Sequence, residues 1–347
     1  MVLKDNIKIS LDKFIDKALY NKSKGYYSKK NPIGYKGDFI TSPNISIMFS
    51  EMIAIWIVSL WENLGSPKKI NIIELGAGSG EMMYQILKTV DNFKKFKASS
   101  KFYIHEKSMY LKRIQKDKTK KYEVKWIDNL NKISNYPSIF VANEFFDSLP
   151  IKQFVKKKNN WFERFIHSKN KKLHIIDIKT KKSIIEKIIK IKINNEKFIE
   201  YSPLAFEKLN IIAKIIRKNN GGMLIIDYGY NKRTMFNTLQ SVKNHKKNNF
   251  LENVYQSDIT HMINFNYYKK KIKKMKLDCV KLTTQREFLI NMGILKRAEI
   301  ISKNVSFSKK ADIYYRLKRL IDKNEMGLLF KVLFATKKIN KNSILGF

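Results

Sequence analysis

The stretch Ile72-Ile73-Glu74-Leu75-Gly76-Ala77-Gly78-Ser79-Gly80-Glu81 decides how this chain is read. Ile70 to Leu75 is a short apolar run of strand length, and Met82 to Val90 carries a helical pattern. Three alternate glycines turn the first into the second. Glycine lets a backbone adopt positive φ and lie close to a ligand. A nicotinamide fingerprint needs Gly-x-Gly-x-x-Gly, whereas Gly76 to Gly80 reads Gly-x-Gly-x-Gly. A phosphate loop needs Gly-Lys-Ser/Thr, which is absent. Glu74, at the strand tip, is placed to pair with a cationic amino group. An acid just before the glycines suits the methionine end of S-adenosylmethionine better than a pyrophosphate. Glu74, Gly76, Ala77, Gly78 and Gly80 therefore read as cofactor-binding; the plain alternative is a glycine turn with no ligand.

Outward from this loop, short apolar strands alternate with helices. Lys101 to Glu106 reads as a second strand, Tyr110 to Gln115 begins a helix, and Tyr122 to Trp126 is a third strand. Ser138 to Asn143 is a fourth and Gly222 to Tyr228 a fifth. This alternation predicts an α/β fold, a doubly wound parallel sheet with helices on both faces. In such folds an acid ending the second strand, here Glu106, accepts from ribose hydroxyls. Asp128 and Asn129, after the third strand, stand where adenine is read, and Asn143 ends the fourth strand beside the cofactor. The plain alternatives are a surface acid at Glu106 and an ordinary turn at 128–129.

The fourth and fifth strands are far apart in sequence. Between them, Ile151–Val155, Trp161–His167 and Leu173–Ile178 read as strands with hairpin breaks at Lys158–Asn160 and Ser168–Lys171, an inserted antiparallel sheet. Pro203 to Asn219 supplies the crossover helix. A second insertion spans about 231–266, before last strands near Lys276–Leu282 and Leu328–Thr336. Upstream, Leu11–Tyr20 reads as a helix and Gly25–Phe39 as a loop. Ser42 is the expected cap of one long helix, with Pro43 in its first turn, running to Gly65. The chain then divides into an N-terminal helical cap (1–66), a cofactor domain (67–150 and 200–347) and the inserted sheet (151–199).

Composition narrows the function. Of 347 residues, 70 are Lys or Arg and 30 Asp or Glu, a net charge of +40. That raises a nucleic-acid binder, but the lysines are spread through the chain (Lys156–Lys158, Lys181–Lys182, Lys269–Lys271) with no localised stripe. No stable nucleic-acid partner is expected. The single cysteine, Cys279, excludes a disulfide framework and a cysteine-ligated metal, and reads as a core thiol. The five histidines form no zinc-hydrolase pattern, and no metal is expected. Residues 1–12 match neither a secretory signal nor a transit peptide, and the apolar run Met52–Val58 is too short to span a bilayer. The expectation is a cytoplasmic protein without membrane insertion.

After the fourth strand comes Asn143-Glu144-Phe145-Phe146-Asp147-Ser148-Leu149-Pro150. Ligands bind beyond the carboxyl ends of parallel strands, so Glu144 and Asp147, with two aromatic rings between them, suit a cationic acceptor. A base-methylating enzyme more often has a polar residue followed by Pro-Pro-aromatic, absent here. With Gly37-Asp38-Phe39-Ile40-Thr41-Ser42-Pro43, Trp161-Phe162-Glu163-Arg164, Ile226-Asp227-Tyr228-Gly229, Thr284-Gln285-Arg286-Glu287-Phe288-Leu289 and Met326-Gly327-Leu328-Leu329-Phe330-Lys331, the chain resembles the MidA-like family over nearly its whole length. The family's aspartate-leucine-threonine segment stands here as Asp258-Ile259-Thr260. It departs from the pattern in a histidine displaced by one and in Asn264, where an acid is usual.

The resemblance implies a class I S-adenosylmethionine-dependent methyltransferase with an added substrate-binding part. The family includes a mitochondrial member that methylates an arginine of a complex I core subunit, which implies a protein arginine acceptor here. On that reading Glu144 and Asp147 orient and charge-stabilise a guanidinium, and Asp38 closes over the site. A methyltransferase for RNA or a small molecule, and a non-catalytic assembly chaperone that binds the cofactor, remain the alternatives. The oligomeric state is left open. A dispersed charge makes few phosphate contacts, so any RNA binding should be weak near physiological salt. Filter binding at 200 mM salt tests this; tight, sequence-selective retention would contradict it.

Overall fold

The structure, a computed structural model, describes residues 6–29, 32–34, 37–337 and 344–347. Seven strands build its central sheet. In chain order they are β1 (Ile70–Leu75), β2 (Ser100–His105), β3 (Val124–Ile127), β4 (Ser138–Asn143), β5 (Gly221–Tyr230), β6 (Asp278–Thr284) and β7 (Phe330–Thr336). Their spatial order is 3-2-1-4-5-7-6, and the short strand Ile263–Asn264 pairs beside the end of β5. β1 to β5 run parallel, and β7 lies antiparallel between β5 and β6. The order reverses between β1 and β4, the switch point at which doubly wound sheets open a crevice.

The strands read as continuous apolar runs because both faces are covered. Ile72, Ile104, Val141, Leu224 and Ile226 pack on one side with Phe49, Ile53, Trp56, Met83 and Ile86 of the helices Ile47–Asn63 and Glu81–Val90. Their chain neighbours Ile73, Phe140, Ala142, Met223 and Ile225 pack on the other, with Leu209, Ile212 and Ile216 of the helix Pro203–Asn219. The alternation is the period-2 geometry of a strand.

Two smaller sheets complete the fold. One combines Lys152–Lys157, Asn160–Lys169, Lys172–Thr180 and Phe198–Tyr201 with an N-terminal strand, Lys8–Ser10, all antiparallel. The other comprises Gln240–Lys243, Lys246–Asn248 and Asp258–Thr260. The helix Leu11–Tyr20 joins them: its Leu11, Phe14 and Ile15 pack with Ile151, Ile166 and Ile259 in a third core.

Several expectations are corrected. The single helix from Ser42 is two, Ser42–Ile45 and Ile47–Asn63, and Thr41 rather than Ser42 holds the first cap position. Ser46 leaves the helical region (φ −152°, ψ 136°), and its hydroxyl accepts from the Met48 N–H at 3.3 Å. A serine that can cap competes with helix continuation. The residues before the first helix carry a strand, and a four-residue helix, Tyr26–Lys29, interrupts the expected loop. The helices Phe265–Lys274 and Phe307–Ile321 have no counterpart in the sequence expectations, their apolar period being blurred by lysines. The Cys279 side chain, expected in the core, lies outside the described residues. Among the described residues no helix is long and apolar enough to cross a membrane.

Phe334 of β7 is fully buried, with its ring edge-on to Trp56 at 5.3 Å. Phe334→Ala should cost about 3–5 kcal/mol. Urea unfolding should show a lower midpoint with an unchanged slope; a loss too small to measure would place β7 outside the core.

Candidate active site

The carboxyl ends of β1, β2, β4 and β5 open into one cavity of about 1090 Å³. Ligand sites typically enclose roughly 300–1,000 Å³, so this one has room for a cofactor and an acceptor group together. The glycine turn forms one wall. Gly76 and Gly78 have φ of 68° and 51°, where side chains are strained, and a Cβ on Gly78 would lie 2.4 Å from the Ile33 side chain. Glu74 is 3% exposed and its Oε2 has no hydrogen-bond partner. Burial, and then the charge of Glu106, push its carboxyl up to about 8. A buried carboxyl oxygen without a donor at a cavity wall is a seat for a cation. Asn143 at the end of β4 likewise has an unpartnered Oδ1. These two oxygens and the tight turn fit the donor set of an α-amino acid cofactor such as S-adenosylmethionine.

Glu106 follows β2 directly. Its Oε1 accepts the Ser108 N–H at 2.8 Å and its Oε2 accepts from Gln115 Nε2 at 3.1 Å. The same Gln115 amide donates to the Gly78 carbonyl at 2.9 Å, while Gln115 Oε1 accepts from Trp126 Nε1 at 2.9 Å. Gln115 thus ties the glycine turn to the ribose-side acid. Sequence reasoning missed it. Its signal was a polar residue one turn from Leu111 on the buried stripe of the helix Met109–Lys118.

The acceptor half begins where β4 ends. Glu144 adopts φ 49°, a conformation costly for a residue with a side chain. Its N–H bonds the Ile226 carbonyl at 2.9 Å, and its Oε1 accepts the Ser42 N–H at 3.3 Å. The fully buried Asp227 holds the following turn, its Oδ2 accepting the N–H groups of Phe146 and Asp147, each at 3.2 Å. Asp147 is thereby aimed into the cavity with Oδ1 unpartnered. The Tyr228 hydroxyl lies between Asp147 and Thr260. Burial raises Glu144 to about 8, helped by the charge of Asp147, and raises Asp147 to about 6. Asp258 also lines the cavity, pushed up to about 7 by burial and then by Asp147. Tyr228 and Asp258 were assigned no role from sequence, because they reach the site from segments distant along the chain.

Of the expected site residues, Glu74, Gly76, Ala77, Gly78, Glu106, Asp128, Asn143, Glu144 and Asp147 line the one cavity. Gly80 does not; at φ 77° it starts the helix Glu81–Val90. Asn129 does not either. It is exposed, and its side chain caps the turn Leu130–Lys132 by accepting the Asn131 N–H at 2.9 Å. Asp128 lines the rim, but its side chain is 81% exposed and pairs with Lys112. Asp38 is the main correction. Its Oδ2 accepts the Tyr26 hydroxyl at 2.6 Å and its Oδ1 the Asn244 N–H at 2.7 Å. Two nearby donors capture the carboxylate, so it fastens the N-terminal segment to the turn at 244–245 instead of closing over the acceptor.

Two outcomes test this geometry. Gly78→Val adds a branched side chain where the turn already touches Ile33, so S-adenosylmethionine binding should be lost with the fold retained. Calorimetry on the folded variant decides, and unchanged affinity would sink the cofactor loop. Glu74 ionises near pH 8 when folded but near 4.3 when unfolded. Below both values its protonation costs nothing. As pH rises between them, the unfolded state alone ionises and stability falls. The thermal midpoint of Glu74→Gln should therefore gain on the ligand-free parent between pH 5 and 8; a constant difference would refute the burial of Glu74.

Comparison with known proteins agrees with the fold and the loop. A family model for S-adenosyl-L-methionine-dependent methyltransferases matches residues 52–283. The protein arginine methyltransferase NDUFAF7, mitochondrial, of Xenopus laevis is 29% identical over 93% of this chain and 80% of that protein. The namesake of Danio rerio is 28% identical over 93% and 82%, and that of Homo sapiens 27% over 93% and 78%. A crystal structure from Burkholderia thailandensis, bound to S-adenosyl-homocysteine, superposes with a TM-score of 0.81 over 96% of this chain and 89% of that chain. At 20% identity it speaks for the fold alone. These relatives are named as mitochondrial, which overturns the cytoplasmic placement expected from the sequence. With the 3-2-1-4-5-7-6 sheet and the matched residues, the chain belongs to the MidA-like family of S-adenosylmethionine-dependent methyltransferases.

Proposed function

We propose that this methyltransferase acts on an arginine side chain of a protein, and that the acceptor is a core subunit of respiratory complex I, methylated during assembly. The carrying observation is the pair Glu144 and Asp147 beyond β4, two acids held above the ordinary carboxylate range in the cavity that contains the glycine turn. The name borne by the relatives, protein arginine methyltransferase, supports the arginine. The complex I subunit follows from the family resemblance. In this reading residues 1–66 act as a cap, 67–150 with 200–347 as the methyl-transfer domain, and 151–199 as an inserted sheet on the acceptor side.

Glu74, Asn143, Glu106 and the turn from Gly76 to Gly78 would hold S-adenosylmethionine, which supplies an electrophilic methyl group. Arginine is fully charged at neutral pH, and its nitrogens are poor nucleophiles. Glu144 and Asp147 would accept paired hydrogen bonds from the guanidinium, strong because both partners are charged. That fixes one nitrogen in place and draws on its proton. The nitrogen that gains a carbon must lose that proton. Glu144, whose protonated form burial favours up to about pH 8, is fit to receive it.

Glu144→Gln keeps the shape and removes the charge. It should lose roughly 2–4 kcal/mol of transition-state stabilisation, about 30- to 1000-fold in rate. Cofactor affinity should stay unchanged. The measurement is labelled methyl transfer to the reconstituted core subunit, with calorimetry in parallel. If Glu144→Gln and Asp147→Asn both transfer at the parent rate, the arginine mechanism is wrong. Cofactor binding without any transfer would favour an assembly chaperone. In the parent, kcat/KM should climb between pH 6 and 8 as carboxyls near 6 and 8 ionise; a flat profile would remove these carboxylates from the reaction.

A further inference from the structure

A third carboxyl reaches the cavity from a segment the mechanism above does not use. Asp258, in the strand Asp258–Thr260, is 5% exposed and lines the same space as Glu144 and Asp147. Its Oδ1 accepts the Tyr27 hydroxyl at 2.9 Å and the Ile259 N–H at 3.0 Å, two neutral donors that leave its charge uncompensated.

Tyr27 is itself fixed from two sides. Its ring stacks on Tyr20 with centroids 5.6 Å apart and planes 20° apart. Its carbonyl accepts the Ser108 hydroxyl at 2.6 Å, and the Ser108 N–H is bonded to Glu106 at 2.8 Å. Glu106, Ser108, Tyr27 and Asp258 therefore form one connected line from the ribose-side acid to the acceptor side. Tyr20 closes the arrangement by donating to the Ser148 carbonyl at 3.2 Å, one residue beyond Asp147.

Three carboxyls from two segments offer acceptors in several directions. An ammonium presents three donors on one atom, whereas a guanidinium spreads five over a planar fork. The buried, unpartnered Asp147 Oδ1 independently marks the space as one that takes a donor. Tyr20 and Tyr27 also line the cavity, and the Lys107 ammonium already lies over the Tyr20 ring at 4.8 Å, a cation on this aromatic pair.

We propose that Asp258, aligned by Tyr27, binds the acceptor guanidinium on the side away from the nitrogen that Glu144 and Asp147 present for methylation. This rests on the arginine reading. The test uses the full chain, the reconstituted complex I core subunit and labelled S-adenosylmethionine, with S-adenosyl-homocysteine affinity measured by calorimetry. In Asp258→Asn the KM for the subunit should rise roughly 10- to 100-fold, the loss of a charge-assisted contact. Turnover at saturation and S-adenosyl-homocysteine affinity should stay at parent values. Tyr27→Phe should raise KM less. It should also move the ascending limb of kcat/KM to higher pH, since the tyrosine hydroxyl lowers the pKa of Asp258.

A parent-like KM in folded Asp258→Asn overturns the proposal while leaving the arginine reading intact. Absence of transfer to arginine by the parent overturns both. If Asp258→Asn does not fold, Tyr27→Phe decides, and an unchanged KM and pH limb overturn the proposal.

Discussion

Carboxyls gathered on the wall of one cavity are the constraint on which this molecule turns. Glu74, Glu144, Asp147 and Asp258 share one cavity, and each is held above the ordinary carboxylate range with burial as the first cause. Mutual repulsion is the second cause at three of them: Glu106 acts on Glu74, and Asp147 acts on Glu144 and Asp258. Each tenfold weakening of a carboxylic acid corresponds to about 1.4 kcal/mol. Holding several such carboxyls together therefore draws on the stability of the rest of the chain. The cost is offset elsewhere, by a sheet apolar on both faces and by the backbone amides that Asp227 gathers under the Phe146–Asp147 turn.

That arrangement lies inside a chain of net charge +40. The long-range field around such a protein repels small cations. A cationic ligand is therefore held by short-range contacts within the cavity, where the dielectric is low and unpartnered oxygens wait for donors. The cavity wall carries both signs, with Lys107, Lys112, Lys208 and Arg319 beside the acids, and bulk composition says nothing about where the acids gather.

Much of the cofactor half was legible because its determinants are contiguous. The strand Ile70–Leu75, the glycine turn and the acid ending the next strand are set by local pattern and by parallel-sheet geometry. The limits of Leu11–Tyr20, Ser138–Asn143 and Pro203–Asn219 were readable in the same way. Local reasoning failed where a side chain had a distant alternative. Asp38 was assigned to the site, but a tyrosine hydroxyl and a backbone amide 206 residues away hold it. Ser46 broke a helix whose apolar pattern runs on past it. Gln115 and Asp258 became informative only once the fold brought Gly78, Glu106 and Tyr27 to them.

The third core has a consequence in time. The apolar face of Leu11–Tyr20 packs on Ile151, Ile166 and Ile259, and Lys8–Ser10 pairs with Phe165–His167. These partners leave the ribosome long after the helix does. At about 5–20 residues per second, the N-terminal helix waits on the order of 10–50 s for Ile259 to be made. Domains fold as units, and this helix completes its packing only after Ile259 has emerged. Until Ile151 and Ile166 emerge, Leu11, Phe14, Ile15, Ala18 and Leu19 form an uncovered apolar stripe on the nascent chain. A chaperone that grips such stripes would find this one open from its synthesis until those distant partners arrive.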